Sequence, residues 1–205
     1  GADVHKVAEA MGSDGRISPK FLHPGPGFGG SCFPKDIEAF AKLSRQNNLT
    51  MNTVEAAIKA NKSQKKRMVE KLRDLMGGNF KNKCVAILGL AFKPNTDDIR
   101  ESPSIYLINI INEEGGSIKA YDPISNDNMK QVYPDIEYCL NWKEACKNAD
   151  AVAVITEWNE FRSINLEALG SLLKAPVILD ARNIFDVSKL KKNNFAYGNF
   201  GRQKL

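Results

Sequence analysis

The sequence predicts an α/β chain in which a helical segment precedes a doubly wound parallel sheet. Two observations carry this. After Gly77-Gly78 the helical stripes give way to a short continuous apolar run, Val85-Ala86-Ile87-Leu88, of the kind buried on both faces of a parallel sheet. Four more such runs follow, at 118–121, 136–139, 151–155 and 177–179, separated mostly by helical stretches such as 104–114 and 166–173. Strands alternating with helices argue for a doubly wound domain whose ligand lies beyond the carboxyl ends of the strands.

Taken in order, residues 3–11 alternate at helical spacing and stop at Gly12-Ser13-Asp14-Gly15, a turn cluster. After a loop, Pro34 opens a second helix running to about Gln46, with Ile37, Phe40, Ala41 and Leu43 on one face and Asn47-Asn48 as its break. A long helix spanning 50–77 follows, with Val54, Ile58, Met68, Val69, Leu72 and Leu75 on a stripe and the glycine pair as its stop. It can join two domains or pair with a second copy of itself. The expected division is a partial helical domain over 1–78 and a sheet domain over 79–205. The first strand runs into Gly89-Leu90-Ala91-Phe92-Lys93, where a dinucleotide fold would carry G-x-G-x-x-G. The sheet is therefore Rossmann-like but takes a different anionic ligand, or has lost the tight pyrophosphate turn.

Composition narrows the class. The 205 residues are 42% hydrophobic, enough to bury a core, and the net charge of +5 comes from 29 basic against 24 acidic residues. The basic residues are dispersed and no aromatic residues interleave with them, so nucleic acid is not the expected partner. Cys32, Cys84, Cys139 and Cys146 form no C-x-x-C pair, and the histidines are His5 and His23 alone, so neither a metal site nor a disulfide framework is expected. For Cys84, Cys139 and Cys146 a buried thiol acting as a small hydrophobe is the reading. No apolar run is long enough to span a membrane and the start lacks signal-peptide regions, which gives a cytoplasmic expectation. The chain opens without Met inside an amphipathic helix, so a truncated or proteolysed form of a longer protein is expected.

The most informative stretch is Pro24-Gly25-Pro26-Gly27-Phe28-Gly29-Gly30-Ser31-Cys32-Phe33-Pro34-Lys35-Asp36. Its glycines let backbone approach a ligand and expose amide groups. Pro34 is a preferred first helical residue, which puts the Cys32 sulfur near a helix N-terminus. There the dipole and the Lys35 ammonium favour thiolate over thiol, the form that acts as a nucleophile. Asp36 is placed to act on a water or proton near that sulfur. A glycine-rich surface loop with a bystander cysteine is the alternative.

This string resembles the active-site motif of the UDP-glucose/GDP-mannose dehydrogenase family. Gly-Gly-Ser-Cys-Phe-Pro-Lys-Asp is similar to the UDP-glucose branch, whereas N-acetylmannosamine-type relatives usually carry His-Cys-Ile-Pro there. Asp14-Gly15-Arg16-Ile17 resembles a family element whose arginine reaches the nucleotide-sugar of a neighbouring subunit. Ile87 to Lys93, then Thr96 to Pro103, resemble the opening of the family's UDP-binding domain, and Tyr121-Asp122-Pro123, Thr156-Glu157-Trp158 and Asp180-Ala181-Arg182-Asn183 follow in the family's order.

The resemblance implies a function and a set of roles. The reaction would be NAD-dependent oxidation of UDP-glucose to UDP-glucuronate, with Cys32 as nucleophile and Asp36 as its acid/base or water-positioning partner. Arg16, Phe21, Leu22, His23, Pro24, Gly25, Gly27, Phe28, Gly29, Phe92, Lys93 and Arg182 would bind the nucleotide-sugar. Lys35 and Arg100 would meet NAD. By themselves Lys93 and Arg182 read as solvated charges, and Arg100 reads equally well as a helix-start ion pair with Asp98 or Glu101. The family's oxyanion donors and its amino-terminal NAD-binding fold would lie before Gly1, which makes these residues inactive alone. A homodimer through the 50–77 helix is implied. The rival assignments are a GDP-mannose or UDP-N-acetyl-sugar dehydrogenase, and a noncatalytic nucleotide-binding or dimerisation module.

Overall fold

The computed structural model describes residues 2–202. Helix α1 (Val4–Gly12) starts where the Asp3 carboxylate accepts the His5 N–H, the cap that an exposed first turn needs. A single 3-10 turn follows at Pro19–Phe21. Helix α2 (Phe33–Gln46) has Pro34 in its first turn and ends at Asn47, as the sequence predicts. Its apolar face does not enter the core, since Ala41 is buried while Phe40 and Leu43 are 50% and 56% exposed. Helix α3 (Asn52–Leu75) closes on Gly77 and Gly78, at φ 78° and 91°. The Gly78 N–H reaches the Arg73 carbonyl at 2.9 Å, satisfying an otherwise orphaned acceptor. The stripe of α3 divides along its length: Met68, Val69 and Leu72 are buried, but Val54 and Ile58 are only half-buried.

The remaining elements are β1 (Cys84–Leu88), α4 (Pro103–Glu113), β2 (Ser117–Tyr121), α5 (Asn126–Val132), β3 (Glu137–Tyr138), α6 (Trp142–Cys146) and β4 (Ala151–Val154). They continue with α7 (Asn159–Arg162), α8 (Leu166–Leu172), β5 (Val177–Asp180), α9 (Val187–Lys192) and β6 (Ala196–Asn199). The strands form one sheet in the order β3-β2-β1-β4-β5-β6, with every pair parallel. Alternation sorts their side chains. Val85 and Ile87 join Met68, Leu72, Leu107, Ile108 and Ile111 on the face covered by α3 and α4, while Ala86 and Leu88 join Cys146, Phe161, Leu169 and Leu190 on the other.

Two expectations about strands need correction. A sixth strand, β6, extends the sheet beyond β5, with Val177 opposite Ala196 and Asp180 opposite Asn199. Its sequence, Ala-Tyr-Gly-Asn, has no continuous apolar run and holds a turn-forming pair, so only the pairing surface of β5 makes it a strand. The run at 136–139 shrinks to the two residues of β3, because an edge strand is held from one side only. Cys139 and Cys146 are buried, and burial pushes their thiols up to about 11 and about 12 respectively. Burial also raises the half-buried Cys84 thiol. Cys139 and Cys146 are the buried, hydrophobe-like thiols expected, while Cys84 packs only half-buried against the same core. Among the described residues no helix is long and apolar enough to cross a membrane.

The turn leaving β1 is built on Gly89, at φ 93°, where an added Cβ would lie 2.5 Å from the Thr156 Cβ and 2.6 Å from its backbone nitrogen. Neither neighbour can move without shifting β4. Gly89→Ala is expected to destabilise the chain by about 3 kcal/mol, through overpacking and left-handed strain together. Urea unfolding measures it, and a midpoint equal to that of the unsubstituted chain would refute it.

Candidate active site

Strand order reverses between β1 and β4, and the loops leaving β1, β4 and β5 meet there at the carboxyl edge of the sheet, where open α/β sheets bind ligands. The β1 loop brings Phe92 and Lys93, the β4 loop Glu157 and the β5 loop Arg182, all lining one cleft of about 750 Å³. The β1 turn does not offer its amides to a phosphate. The buried Asp122 carboxylate accepts the Leu90 N–H at 2.8 Å, the Ala91 N–H at 3.2 Å and the Trp158 indole N–H at 3.1 Å. Donors that a dinucleotide fold aims at a pyrophosphate are consumed inside the protein, the physical counterpart of the missing glycine fingerprint.

Arg182 forms the floor of the cleft. Its Nε–H donates to the Ile155 carbonyl at 2.7 Å and its Nη2 to the Phe92 carbonyl at 3.2 Å. Glu157 Oε2 lies 3.1 Å from the same Nε, but that N–H is already spent, and the oxygen has no hydrogen-bond donor among the described residues. The pair is thus coulombic. Burial pushes the guanidinium down from its usual range and Glu157 partly opposes this, yet a guanidinium stays charged at any physiological pH.

The glycine-rich loop forms the opposite wall. It is seated on the loop between β1 and α4 by Gly30, whose N–H reaches the Arg100 carbonyl at 2.8 Å. At φ 89° a Cβ there would meet the Phe92 ring at 2.8 Å, so only glycine allows that approach. Phe21, His23, Gly25, Gly27, Phe28 and Gly29 line the cleft from this side, and the Lys93 ammonium stands 5.2 Å from the centre of the Phe92 ring. The structure therefore gathers nine of the residues that sequence reasoning assigned to the nucleotide-sugar. Leu22 and Pro24 do not line the cleft. Arg16 also lies away from it, 89% exposed and paired with Asp14 at 2.6 Å. Lys20, Phe33 and Glu157 line it without having been singled out. Glu157 had a visible signal, its place between Thr156 and Trp158 at a strand end, whereas Lys20 and Phe33 were only neighbours of named positions.

Cys32 opens onto a second cleft, also about 750 Å³, with Gly30, Ser31, Pro34, Lys35, Glu38, Lys62, Arg100 and Glu101. It is exposed, occupies the N-cap of α2, and its carbonyl accepts the Asp36 N–H at 2.8 Å. Its side chain makes no cap bond, and Sγ lies 3.6 Å from the Ser31 hydroxyl. Two cations stand near. The hydrogen bond to Asp36, at 2.5 Å, holds Lys35 charged above its ordinary range, and Cys32 adds to this in smaller part. Arg100 is raised first by its hydrogen bonds to Asp98, at 2.9 and 2.8 Å, and in smaller part by Cys32. Its ion pair is with Asp98, while Glu101 turns to Lys65. Asp36 lines neither cleft itself but pairs with Lys35, a lining residue of the cleft of Cys32. No group of metal-ligating side chains occurs among the described residues.

Residues 1–63 match the model of the central domain, and residues 86–187 that of the UDP binding domain, of the UDP-glucose/GDP-mannose dehydrogenase family. The chain belongs to that family. It is 40% identical over 202 residues to UDP-glucose 6-dehydrogenase of Rhizobium meliloti (strain 1021), covering 98% of this chain and 46% of the relative. It is 39% identical over 203 residues to UDP-glucose 6-dehydrogenase TuaD of Bacillus subtilis (strain 168), covering 98% and 44%. A solved UDP-glucose dehydrogenase of Pyrobaculum islandicum superposes with TM-score 0.86 at 29% identity, covering 98% of this chain and 44% of that one. The chain thus spans less than half the length of the family members it resembles.

Proposed function

We propose that residues 1–78 supply the nucleophile and one wall of the nucleotide-sugar cleft, and 79–205 its other wall, in an NAD-dependent UDP-glucose 6-dehydrogenase. The observation that supports this is the continuity of one loop, which lines the cleft over Arg182 and four residues after Phe28 presents Cys32 at a helix N-terminus. In the first cleft Lys93 and Arg182 offer positive charge to a diphosphate, and Phe21, Phe28 and Phe92 offer apolar surface to a base and sugar.

Cys32 then acts on the sugar's terminal carbon. Its thiolate adds to the C6 aldehyde, forming a C–S bond while the carbonyl electron pair becomes an oxyanion that takes up a proton. Oxidation of that thiohemiacetal gives a thioester, and water cleaves the C–S bond to release the carboxylate and return the thiolate. Two NAD molecules bound in succession would each accept one hydride, one for each oxidation, and Lys35 and Arg100 are the residues of this chain that would meet them. With the β1 turn amides committed to Asp122, no dinucleotide cradle exists on this sheet, and the 205 residues alone are expected to give no sustained NADH.

Iodoacetamide labelling near neutral pH tests the reading. Cys32 is expected to label ahead of Cys84, and UDP-glucose to slow it more than equal GDP-mannose or UDP-N-acetylmannosamine. Equal labelling of Cys84, or no effect of UDP-glucose, would favour a noncatalytic module. A homodimer, expected through the 50–77 helix, would also cover the outward face of α2 and the turn before α3, where Phe40, Leu43 and Leu49 are 50%, 56% and 65% exposed. Sedimentation velocity returning a monomer at micromolar concentration would overturn that assembly.

A further inference from the structure

Resting on that reading, we infer that Asn61 and Gln64 of α3 are positioning residues for Cys32, fixing the backbone of the loop that joins the two clefts. Asn61 meets Phe28 twice: its Oδ1 accepts the Phe28 N–H at 2.8 Å, and its Nδ2 donates to the Phe28 carbonyl at 3.1 Å. It pairs both main-chain groups of one residue, as a neighbouring strand would. Three residues on, Gln64 Nε2 donates to the Gly25 carbonyl at 3.2 Å. Lys65 then donates to the Glu101 carbonyl and carboxylate, both at 3.2 Å. Positions i, i+3 and i+4 share one helix face. A single turn of α3 therefore holds Gly25 and Phe28, which line the first cleft, together with Glu101, which lines the cleft of Cys32.

The path from Asn61 to the thiol is short. At Gly27 (φ 107°) an added Cβ would come within 2.5 Å of Asn61 Oδ1, so the loop is pressed onto the helix. The Phe28 ring packs edge-on against that of Phe33, with centroids 4.7 Å apart and planes at 80°. A shift of Phe28 is thus passed to the residue beside Cys32. Asn61 and Gln64 belong to neither core cluster, whose α3 members begin at Met68. Their loss leaves the core in place and releases the loop. A reacting group misplaced by about 1 Å can lose about 10²-fold in rate.

The test uses the 205-residue chain, iodoacetamide, and Cys84 as an internal reference for opening of the sheet. Asn61→Leu is expected to melt cooperatively, to change the Cys32 to Cys84 labelling ratio about threefold or more, and to weaken protection by UDP-glucose about fivefold, as loss of placement predicts. Asn61→Asp keeps the acceptor for the Phe28 N–H and should recover part of both. An unchanged ratio and protection in Asn61→Leu would overturn the proposal, as would a parallel rise at both thiols. Should Asn61→Leu melt without cooperativity, Gln64→Met decides by the same criteria. If UDP-glucose fails to protect Cys32 in the unsubstituted chain, the enzymatic reading fails, while the labelling ratio still decides the positioning claim.

Discussion

Cys32→Ala, introduced into a complete dehydrogenase carrying this chain, is expected to cut NADH formation on the order of 10⁴-fold, as removal of a covalent nucleophile does. Affinity for UDP should stay within about twofold, because the thiol lines a different cleft from Phe92, Lys93 and Arg182. The substitution is also expected to leave stability alone. Cys32 is exposed, makes no cap bond, and its removal opens no cavity. Steady-state absorbance gives the rate and titration calorimetry the affinity. Retention of more than about a tenth of the activity would contradict covalent capture by this sulfur.

Arg182→Met carries the second large effect, and it separates binding from folding. The guanidinium is only 15% exposed and is tied to the Ile155 and Phe92 carbonyls. Its loss should weaken UDP binding about 10- to 100-fold, the scale of one or two charge-assisted hydrogen bonds. It also leaves Glu157 without its cation in a site 29% exposed, which is expected to cost about 2 kcal/mol, below the figure for a fully buried pair because solvent reaches this carboxylate. Adding Glu157→Gln should return most of the lost stability and none of the affinity. Thermal melts and calorimetry on the two variants separate these terms. Equal UDP affinity in Arg182→Met would place the nucleotide elsewhere.

Fold class, helix ends and the Cys32 loop were legible in the sequence because each is a local instruction. Continuous apolar runs, period-3.6 stripes, Pro34 in a first turn and the Gly77-Gly78 stop act within a few residues of themselves. The glycine spacing of the loop identified a close approach before any partner was known. Even the negative sign at Gly89, the absent dinucleotide fingerprint, has a structural counterpart in the amides taken by Asp122.

Tertiary structure alone decided which partners those instructions acquire. Strand β6 exists because β5 offers a free edge, not because Ala-Tyr-Gly-Asn prefers extension. Glu157 joins Arg182 from another strand end, and Asp36 pairs with Lys35 beside the cleft of Cys32. Asn61 and Gln64 sit in no sequence pattern that names a distant partner, and Gln64 has a local one in Arg67, whose Nη1 donates to its Oε1 at 3.1 Å. Their distant partners, Phe28 and Gly25, lie 33 and 39 residues away. Such contacts depend on where separate elements come to rest, and no pattern confined to one element encodes that.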